Sequence, residues 1–160
     1  MAKSRSRAQH HHALRLRLAT HTDVATLLAM MADFNCSEGI SFDRPAFERA
    51  LVRLLRDPSV GFVGLFVESG KAIGYAVLSY GFDLEWGGRD ALLTEIYLLP
   101  EWRRRGLGAA GLRLVEKRAR ASGVKAVSLG VRPENAAAVS LYRRAGYGGP
   151  TRLLLSKSLR

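Results

Sequence analysis

The chain has 160 residues and a mass of 17.6 kDa, the size of one domain with a sizeable hydrophobic core. Hydrophobic residues make up 48% and charged residues 24%, a balance that excludes an intrinsically disordered chain. No apolar run approaches the roughly 20 residues of a membrane-spanning helix. The single cysteine, Cys36, excludes a disulfide framework and a cysteine-based zinc site. We expect a cytoplasmic protein, because no apolar secretion segment follows the basic N-terminus.

The formal net charge of +11 is distributed unevenly along the chain. Residues 1–17 hold five basic and no acidic residues, and residues 18–99 hold six basic and eleven acidic residues. Residues 100–160 hold fourteen basic and three acidic residues. This asymmetry indicates a phosphorylated ligand for the basic part and a cation for the acidic part. The alternatives are a solvated basic face and a nucleic-acid-binding surface, although no nucleic-acid-binding module is recognisable.

The N-terminal residues 1–12 are polar and lack hydrophobic periodicity, which predicts a flexible basic tail ahead of one domain at 13–160. Leucines alternate with arginines over residues 14–18, as in a half-buried strand.

Two helices are expected next. The sequence from Thr20 to Asp23 predicts a capped start for a helix that runs to about Phe34. Asp43 and Pro45 predict the start of a second helix, because a short acceptor side chain followed by proline suits the first turn.

Three strands of a meander follow at 61–68, 71–84 and 91–99. The dipeptide Ser69-Gly70 predicts the first hairpin turn, and residues 86–89 form the second.

The remaining pattern predicts a helix at 106–121, a strand at 125–131, a helix at 135–145 and final strand material within 147–158. The order of elements indicates a single α/β domain with a mixed sheet.

An arginine-rich turn between the third meander strand and the next helix carries the chemical signal. Leu99 ends the strand, residues 103–105 are three arginines, and Gly106 and Gly108 open the helix. Free main-chain N–H groups at a helix N-terminus bind anions, glycine lets a ligand approach closely, and arginine suits phosphate. These residues predict a cradle for a pyrophosphate.

Other readings of these glycines are weaker. A dinucleotide turn follows its strand directly, whereas six residues separate Leu99 from Gly106, and Arg132 stands where that motif expects an acid. A Walker loop is excluded because no Lys-Ser/Thr pair follows the glycines. A tight turn with solvated arginines remains the structural alternative.

Arg103-x-x-Gly106-x-Gly108 resembles the coenzyme A signature of the GNAT superfamily of N-acetyltransferases, usually written Q/R-x-x-G-x-G/A. Residues 95–101 are similar to the fourth strand of that family, and residues 135–147 to its late N…A…LY…GY/F block. The resemblance covers roughly residues 14–158.

The resemblance implies an acetyl-CoA-dependent enzyme with a single-domain α/β fold. We expect a mixed central sheet of six or seven strands flanked by about four helices and splayed at strands 4 and 5. The same resemblance makes a homodimer an expected partner state, and no membrane partner is expected.

The implied cofactor contacts fall on three segments. Main-chain groups near Tyr97, Leu98 and Leu99 would bind the pantetheine amides. Main-chain N–H groups of one loop would hold the pyrophosphate, and their residues are Arg103, Arg104, Arg105, Gly106, Leu107, Gly108 and Ala109. Asn135 would contact the cofactor or cap the following helix.

Tyr142 matches the family tyrosine that faces the thioester sulfur, where a phenol can protonate the leaving thiolate. Its alternative role is core packing. Glu95 is the first candidate for the base that deprotonates the amine, since an amine with a pKa of about 10 is mostly protonated at neutral pH. Glu85 and Asp83 are weaker candidates, and a structural hydrogen bond is the alternative for Glu95.

The resemblance and the acidic middle segment predict direct acetyl transfer, within a ternary complex, to a primary amine of a small cationic molecule. The alternatives are a protein lysine or N-terminus as acceptor, and a non-catalytic acetyl-CoA sensor. Glu85, beside the hairpin turn, is a further candidate for acceptor contact. Six other side chains are candidates for the acceptor pocket, of which the two methionines are better explained as core residues: Met30, Met31, Phe34, Cys36, Phe42 and Trp86.

Overall fold

The structure is a computed structural model that describes residues 13–149 and 155–159. Its strands are β1 (Arg15–Leu18), β2 (Gly61–Glu68), β3 (Lys71–Asp83), β4 (Gly88–Leu98) and β5 (Ala126–Leu129). Its α-helices are α1 (Val24–Glu38), α2 (Arg44–Arg56), α3 (Leu107–Ala121) and α4 (Ala136–Arg144). Across these two ranges, no helix has the length and apolar composition needed to cross a membrane.

The strands form one sheet in the order β1-β2-β3-β4-β5. The first four strands are antiparallel neighbours, whereas β4 and β5 are parallel. The expected α/β class, mixed sheet and four helices are therefore confirmed for the part of the chain that the structure describes.

The expected number of six or seven strands is not met, because the described residues contain five. The final strand was predicted within 147–158, and residues 150–154 of that segment lie outside the described ranges. The described remainder, 147–149 and 155–158, forms no strand.

The sheet separates two hydrophobic clusters. Face A, the side covered by α1 and α2, buries a cluster formed by Leu27, Leu28, Met30, Met31, Leu51, Val63, Leu65, Tyr75, Val77 and Tyr97. Face B, the side covered by α3 and α4, buries a cluster that includes Phe62, Phe66, Leu78, Leu93, Leu112, Val115 and Tyr142. Helix α3 approaches face B so closely that a Cβ at Gly111 would lie 2.9 Å from the Phe66 ring.

Local signals set most helix boundaries. Asp43 caps α2 by accepting a hydrogen bond from the Ala46 N–H at 3.2 Å, as predicted. Helix α1 continues past the predicted end at Phe34 to Glu38, because its main chain stays helical until Gly39 adopts a φ of 65°. This left-handed C-cap is a conformation that favours glycine.

Candidate active site

The sheet opens where β4 and β5 part. Their parallel pairing joins Asp90–Leu93 to Ala126–Leu129 and stops there, although β4 continues to Leu98. Over its last residues, β4 therefore has β3 on one side and no strand on the other side in the described part of the chain. The pairing thus ends at the splay expected between strands 4 and 5.

A β-bulge in β4 marks the start of this opening. Leu78 pairs with Leu93 and Val77 with Glu95, so Thr94 is the extra residue. The Thr94 hydroxyl donates to the Val77 carbonyl at 3.2 Å. Bulges bend a strand and redirect its side chains, and this one directs Glu95 to face A.

Main-chain polar groups of β4 face the opening at alternate residues. The Leu99 N–H donates to the Ile73 carbonyl at 2.9 Å, and the Tyr97 carbonyl lies against the Cα of Gly74. Both residues thus direct their polar groups to β3. By strand alternation, Ile96 and Leu98 direct theirs into the opening.

Of the three residues expected to bind pantetheine amides, Leu98 therefore faces the opening, whereas Tyr97 and Leu99 are turned toward β3. Ile96, which the sequence analysis did not name, faces the opening as well, as strand alternation alone would have indicated. The Leu98 carbonyl accepts a hydrogen bond from Arg103 Nε at 2.8 Å, which links the strand to the loop that follows.

The loop Arg103–Ala109 presents a run of main-chain donors that begins at Arg104, because the predicted donor at Arg103 already bonds to the Pro100 carbonyl at 3.2 Å. Arg104 and Gly106 have φ values of 58° and 74°, so two left-handed residues lie close together ahead of α3. In the described residues, the N–H groups from Arg104 to Ala109 have no hydrogen-bond acceptor. Successive free N–H groups in such a turn, continued by a helix N-terminus, bind anions. The loop therefore fits the pyrophosphate cradle predicted from the sequence.

Two of the three arginines are held by aromatic rings. The Arg103 guanidinium lies 5.1 Å from the centre of the Tyr97 ring, and that of Arg105 lies 5.2 Å from the Trp102 ring. These cation–π contacts orient the positive charge around the loop. Arg104 is exposed and has the strained left-handed backbone.

Glu95 is a partly buried carboxylate on face A. The hydroxyl of Tyr75 donates to its Oε2 at 2.6 Å, and Tyr75 is fully buried. Burial raises the pKa of Glu95, while the Tyr75 hydrogen bond acts in the opposite direction. Glu95 also lines an apolar cavity of about 170 Å³. Such a group can accept a proton, and Tyr75, which the sequence did not single out, orients it.

Tyr142 is buried on face B, on helix α4. Its ring makes an edge contact with Tyr147, with centroids 5.9 Å apart. Burial raises the pKa of the Tyr142 hydroxyl, and the negative charge of Glu38 raises it further. Tyr142 therefore holds its proton well above neutral pH, as an acid must before it donates.

Glu38 belongs to an ion pair that sequence reasoning missed. Arg132 Nε lies 3.2 Å from Glu38 Oε2, and the Arg132 guanidinium also donates to the Glu38 main-chain carbonyl. The pair joins the C-terminus of α1 to the loop after β5. The two residues are 94 positions apart, so no local pattern could have indicated the contact.

The proposed acid and base thus lie on opposite faces of the sheet, with Glu95 on face A and Tyr142 on face B. This arrangement suits a thioester that lies in the opening with its acyl carbon toward one face and its sulfur toward the other.

Four other predicted site residues lie in three places. Phe34 lies near the site, since its ring contacts Tyr97 edge-on with centroids 6.3 Å apart. Asn135 caps α4, because its side chain accepts the Ala138 N–H at 3.1 Å. Glu85 and Trp86 are exposed and precede β4, at the end of that strand remote from Glu95.

Comparisons with known proteins agree with the family resemblance of the sequence motifs. A family model described as "Acetyltransferase (GNAT) family" matches residues 27–147. The chain is 28% identical over 140 residues to a thialysine N-epsilon-acetyltransferase of Mus musculus, covering 82% of each chain. It is 34% identical over 83 residues to an L-methionine sulfoximine/L-methionine sulfone acetyltransferase of Pseudomonas paraeruginosa. That match covers 49% of this chain and 45% of the relative, so the chain spans less than half the length of that enzyme.

Among solved structures, an integron cassette protein from the mobile metagenome of Cole Harbour Salt Marsh is similar along nearly its whole length. The TM-score is 0.79 and the sequences are 31% identical, with 92% of this chain and 91% of that chain covered.

Proposed function

The chain belongs to the acetyltransferase (GNAT) family, and from this premise we propose that it transfers an acetyl group from acetyl-CoA to a primary amine of a small cationic molecule. Transfer is direct, within a ternary complex. The observation that carries the proposal is the loop Arg103–Ala109, whose free N–H groups lie next to the β4–β5 opening.

Acetyl-CoA, the donor used by this family, supplies a thioester whose carbonyl carbon an amine can attack. In the proposal the loop holds the pyrophosphate through its N–H groups, and arginines add positive charge around it. The main-chain groups of Ile96 and Leu98 hold the amides of the pantetheine arm in the opening.

Glu95 takes the proton that the acceptor ammonium must lose. An amine with a pKa of about 10 is almost wholly protonated at neutral pH, so attack requires a base. Because burial raises the pKa of Glu95, its carboxylate accepts a proton more readily than an exposed glutamate does. The Tyr75 hydrogen bond fixes the orientation of this carboxylate. Phe34 borders the acceptor beside Tyr97.

Tyr142 gives its proton to the sulfur as the carbon–sulfur bond breaks. The amine nitrogen then holds the acetyl group and releases its second proton to solvent as the amide forms. Coenzyme A leaves as the thiol, and the first proton from the amine stays on Glu95 until solvent removes it. Tyr142 recovers its proton from solvent in the same way. Proton transfer of this kind is supported by the buried, protonated state of Tyr142.

The small-amine acceptor is supported by charge and by the relatives. Residues 18–99, which supply face A and its helices, carry eleven acidic and six basic residues. The two relatives named above act on thialysine and on methionine sulfoximine or sulfone.

Two measurements test the function. Calorimetric titration is expected to show saturable acetyl-CoA binding and no binding of a DNA duplex at either of two salt concentrations. A thiol-release assay over a panel of small amines is then expected to show turnover. Duplex binding without acetyl-CoA binding would overturn the proposal in favour of a nucleic-acid-binding protein, and acetyl-CoA binding without turnover would leave a sensor.

Gly106→Ala is expected to weaken acetyl-CoA binding about tenfold, because a left-handed alanine distorts the donor loop. The matched control is Gly123→Ala at the other end of α3, where φ is 79° and the space around the Cβ is equally open. Both variants should lose similar stability, roughly 1 kcal/mol. Equal affinity in the two variants would contradict the role of the loop.

A further inference from the structure

A small apolar cavity that is partly open to solvent adjoins Glu95 on face A. The cavity, about 170 Å³ in volume, lies between α1, α2 and the sheet. Among residues 13–149 and 155–159, Glu95 is its one polar lining residue, and the others are Met31, Phe47, Ala50, Leu51, Leu54, Val63 and Val77. Since an apolar cavity of about 150 Å³ holds a benzene-sized molecule, this one has room for about six carbon atoms.

The cavity has a charged wall and an opening to solvent. Glu95 is a lining residue whose carboxylate Tyr75 orients through one oxygen, and Ala50 on α2 is a solvent-exposed lining residue at the rim. An ammonium group can pair with the carboxylate. A hydroxyl or ether oxygen deeper in the cavity would lose its hydration and find no hydrogen-bond partner, which is costly.

We propose that the cavity binds the apolar chain of the acceptor, so that the acceptor is a primary amine on an unbranched aliphatic chain of about four to six carbon atoms. The inference rests on the proposed function and narrows it. Charge complementarity with Glu95 anchors the amine, and apolar contacts with the helices and the sheet select the chain. A polyhydroxylated amine is accordingly a poor substrate.

The first test uses the unaltered protein and a series of n-alkylamines from ethylamine to octylamine. We expect kcat/KM to rise about three- to fourfold for each added methylene, as apolar burial predicts, and to fall beyond about six carbons. The isosteric 2-(2-aminoethoxy)ethanol matches n-hexylamine in length and should be at least about tenfold poorer.

The second test fills the cavity. Ala50→Leu should lower kcat/KM for hexylamine about tenfold and leave that for ethylamine within about twofold, because only the longer chain reaches the rim. Arg53→Leu is the control, since Arg53 is exposed on the same helix and does not line the cavity. If Ala50→Leu fails to fold, the chain-length series and the isosteric pair decide the question.

The outcomes separate the two proposals. Turnover that is independent of chain length, or a preference for the polar isostere, overturns this inference and leaves the acetyltransferase function standing. A stabilised Ala50→Leu variant with an unchanged chain-length profile also overturns it, because the cavity would then be a packing void. Failure of all amines to release thiol overturns the proposed function itself.

Discussion

Replacing Tyr142 with phenylalanine is expected to lower kcat by about 100-fold or more, the range of general acid catalysis, with little change in acetyl-CoA affinity. The variant keeps the ring and its contact with Tyr147 but lacks the proton that the leaving sulfur needs. Because burial and the charge of Glu38 raise the pKa of Tyr142, the unaltered enzyme should not lose this acid below about pH 10. The measurement is kcat by thiol release across pH, with affinity from calorimetry.

Tyr147→Phe provides the matched control. Tyr147 makes the other half of the same ring pair, and burial together with Glu116 raises the pKa of its hydroxyl. We expect its kcat to stay within about twofold of the unaltered enzyme, since no step is assigned to this hydroxyl. Equal losses in the two variants would mean that the pair supports packing and that the sulfur obtains its proton from water.

The elements that the sequence predicted well depend on local chemistry. The hairpin turn at Ser69 and Gly70 has φ values of 49° and 78°. Residues with small side chains that tolerate positive φ are typical of such turns, so the dipeptide predicted this one. Asp43 and Pro45 likewise predicted the start of α2 correctly. The run of free N–H groups at Arg104–Ala109 was predictable for the same reason, because the glycines and arginines of this loop are contiguous in the chain.

Contacts between distant segments could not be predicted from local sequence patterns. The hydrogen bond from Tyr75 to Glu95 joins residues 20 positions apart, and it depends on a bulge at Thr94 that nothing in the hydrophobic pattern marks. The placement of Tyr142 and Glu95 on opposite faces follows from sheet order and helix packing. The residue pattern predicted six strands and the family resemblance six or seven, whereas the described ranges, which omit residues 150–154 of the last predicted strand, contain five.

Replacing Glu95 with glutamine is expected to lower kcat/KM about 100-fold at neutral pH and to remove the acidic limb of the pH profile. The base works only when ionised, so activity should fall as pH decreases through the pKa of Glu95. Burial raises this pKa above the ordinary value of 4.5, and the limb should therefore lie at higher pH than for a free glutamate. Initial rates from pH 4 to pH 9, with a saturating donor, measure it.

Tyr75→Phe gives an independent check of the same assignment. The Tyr75 hydrogen bond lowers the pKa of Glu95, so its loss should shift the acidic limb to still higher pH. Tyr80→Phe, on the same strand but packed on face B, should leave the limb in place. An acidic limb that persists in Glu95→Gln and is unmoved in Tyr75→Phe would assign the amine proton to another acceptor. Because the cavity wall would then lack its base, the amine would have to approach the thioester from elsewhere on the sheet.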